Sequence, residues 1–273
     1  MKTVIISDKD FDLRHTFDCG QCFRWEEENG SFIGVAGGKW AKFEKIDEGV
    51  LLTTDSDDIT FWREYLDLER DYSEIKNAVS INPLMTQAVS YGGGIRILKQ
   101  DFFETLLSFI ISQRSSIPKI KSSVKKLCEK YGKEIVIDDK VYYTFPTAED
   151  LKNVTEADYR ELGVGYRAPY LASCVQDVLQ GRVSYDELVS LDTPKAREKL
   201  MSVRGVGDKV CDCVMLFALG KFDLFPSDVW IKRVMCENFG SSEKSAKEDG
   251  EKLFGKYSGF AQQYLFYYRR SIG

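Results

Sequence analysis

What most constrains this chain is a change of hydrophobic period partway along it. Up to about residue 54 the apolar residues alternate in short runs: Ser31-Phe32-Ile33-Gly34-Val35, Trp40-Ala41-Lys42-Phe43-Glu44-Lys45-Ile46 and Val50-Leu51-Leu52-Thr53-Thr54. Aromatic and β-branched residues at period two, with Gly and acidic clusters between them, predict an antiparallel sheet. From Asp58 the spacing turns helical, through Ile59, Phe61-Trp62 and Tyr65-Leu66, and past the Gly92-Gly93-Gly94 break it stays helical. Asp101 to Leu107 opens a strongly apolar helix with acid in its first turn, where the helix dipole favours it. Ser115-Ser116-Ile117-Pro118 ends that helix and starts another, and Thr147, Thr155 and Thr193 are placed to open short helices. The expected fold is α+β, mostly α: an N-terminal antiparallel β-sheet domain over residues 1–95, then an all-helical body over residues 96–273.

Composition limits the function classes. With 43% hydrophobic and 30% charged residues the chain is globular rather than disordered. No run approaches the ~18 apolar residues of a membrane span, and the first residues lack a signal peptide's apolar centre, so no membrane association is expected. Seven scattered cysteines make no disulfide framework and fit a reducing compartment. The net charge of −5 argues, on its face, against a nucleic-acid binder. Its distribution reverses that: −8 over residues 1–76, +3 over residues 77–273, and +6 within residues 94–133.

The most informative segment runs from Leu200 to Leu216. A helix ends at Ser202 or Val203, Gly205-Val206-Gly207 makes a turn, and a new helix begins near Asp208. Glycines in such a turn permit left-handed backbone and close approach, and the N–H groups of the second helix suit a phosphate. A tight hairpin with no ligand fits these residues equally well. Downstream, Leu224 to Arg233 opens a further helix with Asp228 at or beside its N-cap.

Taken together, the Gly-x-Gly hairpin, Lys209 and the distal Asp228 resemble the helix-hairpin-helix superfamily of DNA glycosylases. That resemblance places the catalytic Lys and Asp of the bifunctional members on Lys209 and Asp228. Further segments resemble its 8-oxoguanine branch: Phe17-Asp18-Cys19-Gly20-Gln21-Cys22-Phe23-Arg24-Trp25, Gly92 to Asp101, Leu162-Gly163-Val164-Gly165-Tyr166-Arg167-Ala168, and Gly259-Phe260-Ala261-Gln262-Gln263-Tyr264-Leu265-Phe266. By family position the Gly20 carbonyl faces N7 of the lesion, which is a donor in 8-oxoguanine and an acceptor in guanine. Gln262 reads the Watson–Crick edge, and Phe266 and Cys213 sandwich the flipped ring. The hairpin residues Gly205, Val206 and Gly207, with Arg114, Lys119, Tyr166, Arg167 and Trp230, are implied DNA contacts.

The chemistry so implied needs no cofactor or metal. A neutral Lys209 amine attacks the sugar C1′, expels the base and leaves an imine through which β-elimination cuts the strand. At an ordinary pKa near ~10.4 only about one lysine in 2,500 is neutral at pH 7, so its surroundings must favour the free amine. Asp228 stabilises the positive charge developing on the sugar. The expected partner is double-stranded DNA containing 8-oxoguanine, met by a monomer, in the nucleoid-bearing cytoplasm of a prokaryote or otherwise in a nucleus.

This chain departs from the pattern in places. Arg204 stands where the family has Pro before the hairpin. Arg114 stands where it has the Asn beside the orphaned cytosine, and Lys119 replaces an Arg, removing planar bidentate donation. A relaxed preference for cytosine opposite the lesion is therefore expected. Cys19-x-x-Cys22 invites a zinc or redox reading, but no second pair stands at suitable spacing, and the lone His15 reads as structural. A monofunctional alkylated-base glycosylase would lack Lys209. A non-catalytic hairpin protein would not need Lys209, Asp228, Gly20 and Gln262 together.

The charge distribution predicts few phosphate contacts and hence a shallow fall of DNA affinity with salt. Titration of duplex binding against salt concentration checks this, and a steep slope from many released counterions contradicts it.

Overall fold

The structure, a computed structural model, describes residues 1–272. Strands β1 (Lys2–Ile6), β2 (Glu26–Glu28), β3 (Ser31–Ala36), β4 (Lys39–Ile46) and β5 (Gly49–Thr54) form an antiparallel sheet in the order β1-β5-β4-β3-β2, with helix α1 (Leu13–Phe17) between the first two. The three alternating runs of the sequence are β3, β4 and β5. The edge strands β1 and β2 were not expected, and β2, three consecutive glutamates, carries no apolar signal at all.

Alternation sends the side chains of the sheet to two different partners. Phe32, Phe43 and Leu52 join Phe17, Trp25 and Trp62 in a core closed by α2 (Ile59–Tyr65). Ile33, Val35 and Trp40 point the other way and are buried against Ile135, Ile137 and Tyr142. Those last residues belong to a two-stranded hairpin, β6 (Glu134–Ile137) and β7 (Lys140–Tyr143), inside the body expected to be all-helical. Its two-residue Asp138-Asp139 loop has both residues at positive φ, 47° and 64°, the twist that tight hairpins require. The helical reading missed it because Asp-Asp is a weaker turn signal than Asn-Gly.

The helices are α3 (Tyr72–Val79), α4 (Pro83–Tyr91), α5 (Phe102–Ser112), α6 (Ile117–Tyr131), α7 (Glu156–Glu161), α8 (Ala168–Leu179), α9 (Tyr185–Ser190), α10 (Thr193–Met201), α11 (Asp208–Phe217), α12 (Val229–Phe239), α13 (Ala246–Phe254) and α14 (Ser258–Ile272). Their apolar faces share one large core, which also takes in Tyr72, Ile75, Val79 and Met85 from α3 and α4. Asp58, Asp101 and Thr155 cap their helices through side-chain acceptance of a backbone N–H. Two expected openings fall elsewhere. Thr147 closes a turn by bonding Asp150, and Thr193 is the first residue of a helix capped by Asp192. No described helix is long and apolar enough to cross a membrane.

Arg24 joins the sheet side to the helical side. Its side chain is 9% exposed, and the guanidinium lies 3.1 Å from Glu104 of α5 and also donates to the Tyr143 carbonyl of β7. Burial pushes the Glu104 carboxyl up in pKa, against the pull of Arg24. Arg24→Met leaves Glu104 buried and unpaired and should cost about 3–5 kcal/mol. Adding Glu104→Gln should recover much of that loss. Denaturant unfolding of the two variants decides it; equal stabilities would mean the pair is not coupled.

Candidate active site and nucleic-acid interface

The hairpin forms where expected. Helix α10 is capped at Ser202, and α11 starts at Asp208 with Gly207 as its N-cap. The two glycines do different work. Gly205 has φ +91°, and a Cβ there would meet the Tyr170 side chain at 2.6 Å, so only glycine fits. Gly207 has φ −101° and open space around it. Gln113 holds the turn from α5's end, its Nε2 donating to the Gly205 carbonyl at 3.0 Å. The Val206 N–H is committed to the Val203 carbonyl. The N–H groups of Asp208, Lys209 and Val210 precede the first bond of the helix, from Cys211 to Gly207, and suit an anion.

Lys209 lies on the first turn of α11, its Nζ 4.9 Å from the centre of the Phe109 ring. Among the described residues no carboxylate forms an ion pair with it. Behind it Asp212, 1% exposed, binds Arg197 of α10 and, at 2.8 Å, Lys247 of α13, which fixes the rotation of α11. Cys213, one turn beyond Lys209, is buried, and burial raises its thiol to about 11 against the opposing charge of Lys209. Asp228 is the N-cap of α12: its Oδ1 accepts from the Ile231 N–H at 2.9 Å, which sets the orientation of the carboxylate.

The opposite wall comes from the sheet side. Gly20 has φ +84°, and a Cβ on it would touch Phe266 at 3.0 Å. Around it every neighbouring group is tied down. Gln21 is fully buried, its Nε2 donating to the carbonyls of Thr16 (2.9 Å) and Arg96 (2.8 Å) while its Oε1 accepts from the Leu98 N–H. Gln100 donates to the Gln21 carbonyl, and Gln263 of α14 donates to the Cys19 carbonyl at 2.7 Å. Among the described residues no donor is bonded to the Gly20 carbonyl itself. Cys19 and Cys22 are buried free thiols, donating to the Thr16 and Phe17 carbonyls respectively, and burial lifts Cys19 to about 11. His15 is held by the Gly94 N–H and by the rings of Tyr91 and Tyr267. No group of three or more metal-binding side chains occurs among the described residues.

A cleft of about 850 Å³ separates the two walls. It is lined by Gly20 and Phe266 on one side and by Gly207, Lys209, Asp228 and Trp230 on the other, with Arg114 and Tyr166 also at its surface. Trp230 is 47% exposed and Tyr166 51% exposed. Arg114 is exposed and carries a positive φ of 48°. Not every expected site residue reaches the cleft surface. Cys213 and Gln262 are buried beneath it, and Lys119 is exposed but outside it. Two expected DNA contacts lie inward in the DNA-free chain: Val206 is buried with its N–H used, and Arg167 is 5% exposed, its guanidinium turned onto the Gln113 and Val164 carbonyls. Phe109, Gln113 and Arg270 were missed. Arg270 lies four residues after Phe266, on the same helix face, a spacing the sequence displays.

Both halves of the chain resemble known proteins. Residues 3–106 match the model of the 8-oxoguanine DNA glycosylase N-terminal domain, and residues 107–258 that of the HhH-GPD superfamily base excision DNA repair proteins. The 8-oxoguanine glycosylase/lyase of Clostridium acetobutylicum, solved with dsDNA containing cytosine opposite 8-oxoG, is 43% identical over 97% of this chain and 93% of that one, with a TM-score of 0.92. A probable N-glycosylase/DNA lyase of Methanothermobacter thermautotrophicus is 28% identical over 97% of this chain and 95% of its own. The Saccharomyces cerevisiae N-glycosylase/DNA lyase is 40% identical over 54% of this chain and 42% of its own. The 3-methyladenine DNA-glycosylase of Archaeoglobus fulgidus, 20% identical with a TM-score of 0.78, shares the fold. A positively biased helical body built around the Gly205–Gly207 hairpin, joined to a sheet that contributes Gly20, thus belongs to the HhH-GPD superfamily of base excision DNA repair proteins, in its 8-oxoguanine DNA glycosylase branch.

Proposed function

We propose that this protein is a bifunctional DNA repair glycosylase that excises 8-oxoguanine from duplex DNA and cuts the strand at the resulting abasic site. The observation that carries this is the shared cleft: Lys209 and Asp228 line the same space as Gly20 and Phe266. A base flipped from the stack would enter between them, at a cost of a few kcal/mol. The free Gly20 carbonyl can accept from N7–H of the lesion, whereas guanine would present a second acceptor there and leave both unpaired. Phe266 offers a ring face for stacking, worth ~1–3 kcal/mol.

In this reading the Lys209 nitrogen bonds to C1′ as the bond from C1′ to the base breaks, the departing base taking that electron pair and a proton. The sugar ring then opens to an imine. Loss of a proton from C2′ expels the 3′ phosphate by β-elimination. Asp228, held by its helix cap, faces the positive charge that builds on the sugar. All of these groups come from one chain, so a monomer suffices. The N–H groups at the start of α11 and the exposed Trp230 and Arg114 hold the backbone beside the flipped nucleotide.

Lys209→Gln should abolish both 8-oxoguanine excision and borohydride trapping to lesion DNA. Normal trapping in that variant, measured on a denaturing gel against an undamaged control duplex, would sink the assignment. Asp228 separates its two roles by substitution. Asparagine is as good a helix cap, so Asp228→Asn should melt like the parent yet lose about 10²-fold in single-turnover excision. Asp228→Ala should lose a comparable rate and in addition ~1 kcal/mol of stability. A fully active Asp228→Asn protein would confine that residue to capping.

A further inference from the structure

We infer that Gln263 and Arg270 are positioning residues for lesion recognition, a clamp from α14 that fixes the direction of the Gly20 carbonyl. The inference rests on the proposed function and concerns the same site. A glycine at φ +84° is held by no side chain of its own, so the orientation of its carbonyl depends on the peptide groups to either side. Both preceding carbonyls are gripped from one helix. Gln263, 3% exposed, donates from Nε2 to the Cys19 carbonyl at 2.7 Å. Arg270 donates from Nη2 to the Asp18 carbonyl and lies 3.6 Å from the Asp18 carboxylate.

The placement of Arg270 ties this grip to the cleft. Its Nη1 is 3.6 Å from where a Cβ on Gly20 would sit, its guanidinium is 6.0 Å from the Phe266 ring centre, and it lines the cleft itself. Phe266 is in contact with that same Gly20 position. One helix therefore supplies the stacking ring and also holds the two peptide groups before the glycine whose carbonyl distinguishes the lesion. On the other side, Gln100 holds the Gln21 carbonyl. Loosening the α14 clamp frees the Gly20 peptide to rotate while Lys209 and Asp228, on α11 and α12, keep their places.

That separation gives the test a readout that general destabilisation would not produce. Removal of the base requires the Gly20 carbonyl; β-elimination at an abasic site already lacking its base requires Lys209 but no base contact. Arg270→Met should lower single-turnover excision of 8-oxoguanine by about ten- to a hundredfold, the scale of a misplaced contact. Gln263→Ala, whose side chain is buried outside the cleft, should lose excision likewise yet cleave a preformed abasic duplex within about twofold of the parent. Arg270→Lys, which keeps one donor, should recover part of the excision rate. Gln263→Ala is made in parallel, and both proteins are melted, so that a failure of one to fold leaves the other to decide. Equal losses in excision and abasic cleavage would reduce the clamp to a structural role and overturn the inference, as would no change in either. A parent protein that cuts abasic DNA but leaves 8-oxoguanine in place would defeat the functional reading itself, and the inference with it.

Discussion

The site depends on a set of buried hydrogen bonds that lock the segment from Thr16 to Cys22 between two distant parts of the chain. Gln21 binds the carbonyls of Thr16 and Arg96 and the N–H of Leu98, and Thr16 itself donates to Gly94 and accepts from the Arg96 N–H. Gly94 passes so close to Asp12 that a Cβ would fall 2.3 Å from the Asp12 Cβ. Unmade hydrogen bonds in such a dry setting cost more than made ones contribute. The segment is therefore either fully formed or not formed at all. A loop from a sheet domain thereby gains the rigidity of a core element, which a backbone carbonyl needs if it is to discriminate between two bases.

The second wall is rigid for different reasons. Helix α11 is packed on almost every side, and its one buried carboxylate, Asp212, is matched by cations from α10 and α13. Lys209 and Asp228 each sit at the first turn or cap of a helix, where chain direction is best defined. The open space lies between two firm walls rather than within one of them. A flipped nucleotide would span it, with its base against Gly20 and Phe266 and its sugar against Lys209.

Much of this was legible in the sequence because period and capping are local signals. Three central strands, the capped helices and the hairpin all follow from spacing, and Asp228 was recognisable as a cap. Strand β2 was not legible, since three glutamates gain strand character only by pairing with β3. The β6–β7 hairpin was hidden for a related reason: its apolar residues are explained by the outer face of the sheet, a partner about a hundred residues away. Gly20 and Lys209 were singled out through the motifs that carry the family resemblance, and they line one cleft. Gln263 and Arg270 escaped because they act on backbone carbonyls, which carry no sequence identity. Arg167 shows the converse: a charged side chain suggests a surface contact, and here it reaches the carbonyl of Gln113 from inside.

The acidic average of the chain resolves along the same division. Negative charge is gathered in the sheet domain, while the body that forms the hairpin and most of the cleft surface is net positive. The most direct measurement is a crystal structure of the Lys209→Gln protein bound to a duplex containing 8-oxoguanine. The lesion should lie inside the cleft against Phe266, with its N7 about 2.7–3.2 Å from the Gly20 carbonyl oxygen. A lesion held in the cleft with N7 bonded to some other group, or left stacked in the duplex, would contradict it.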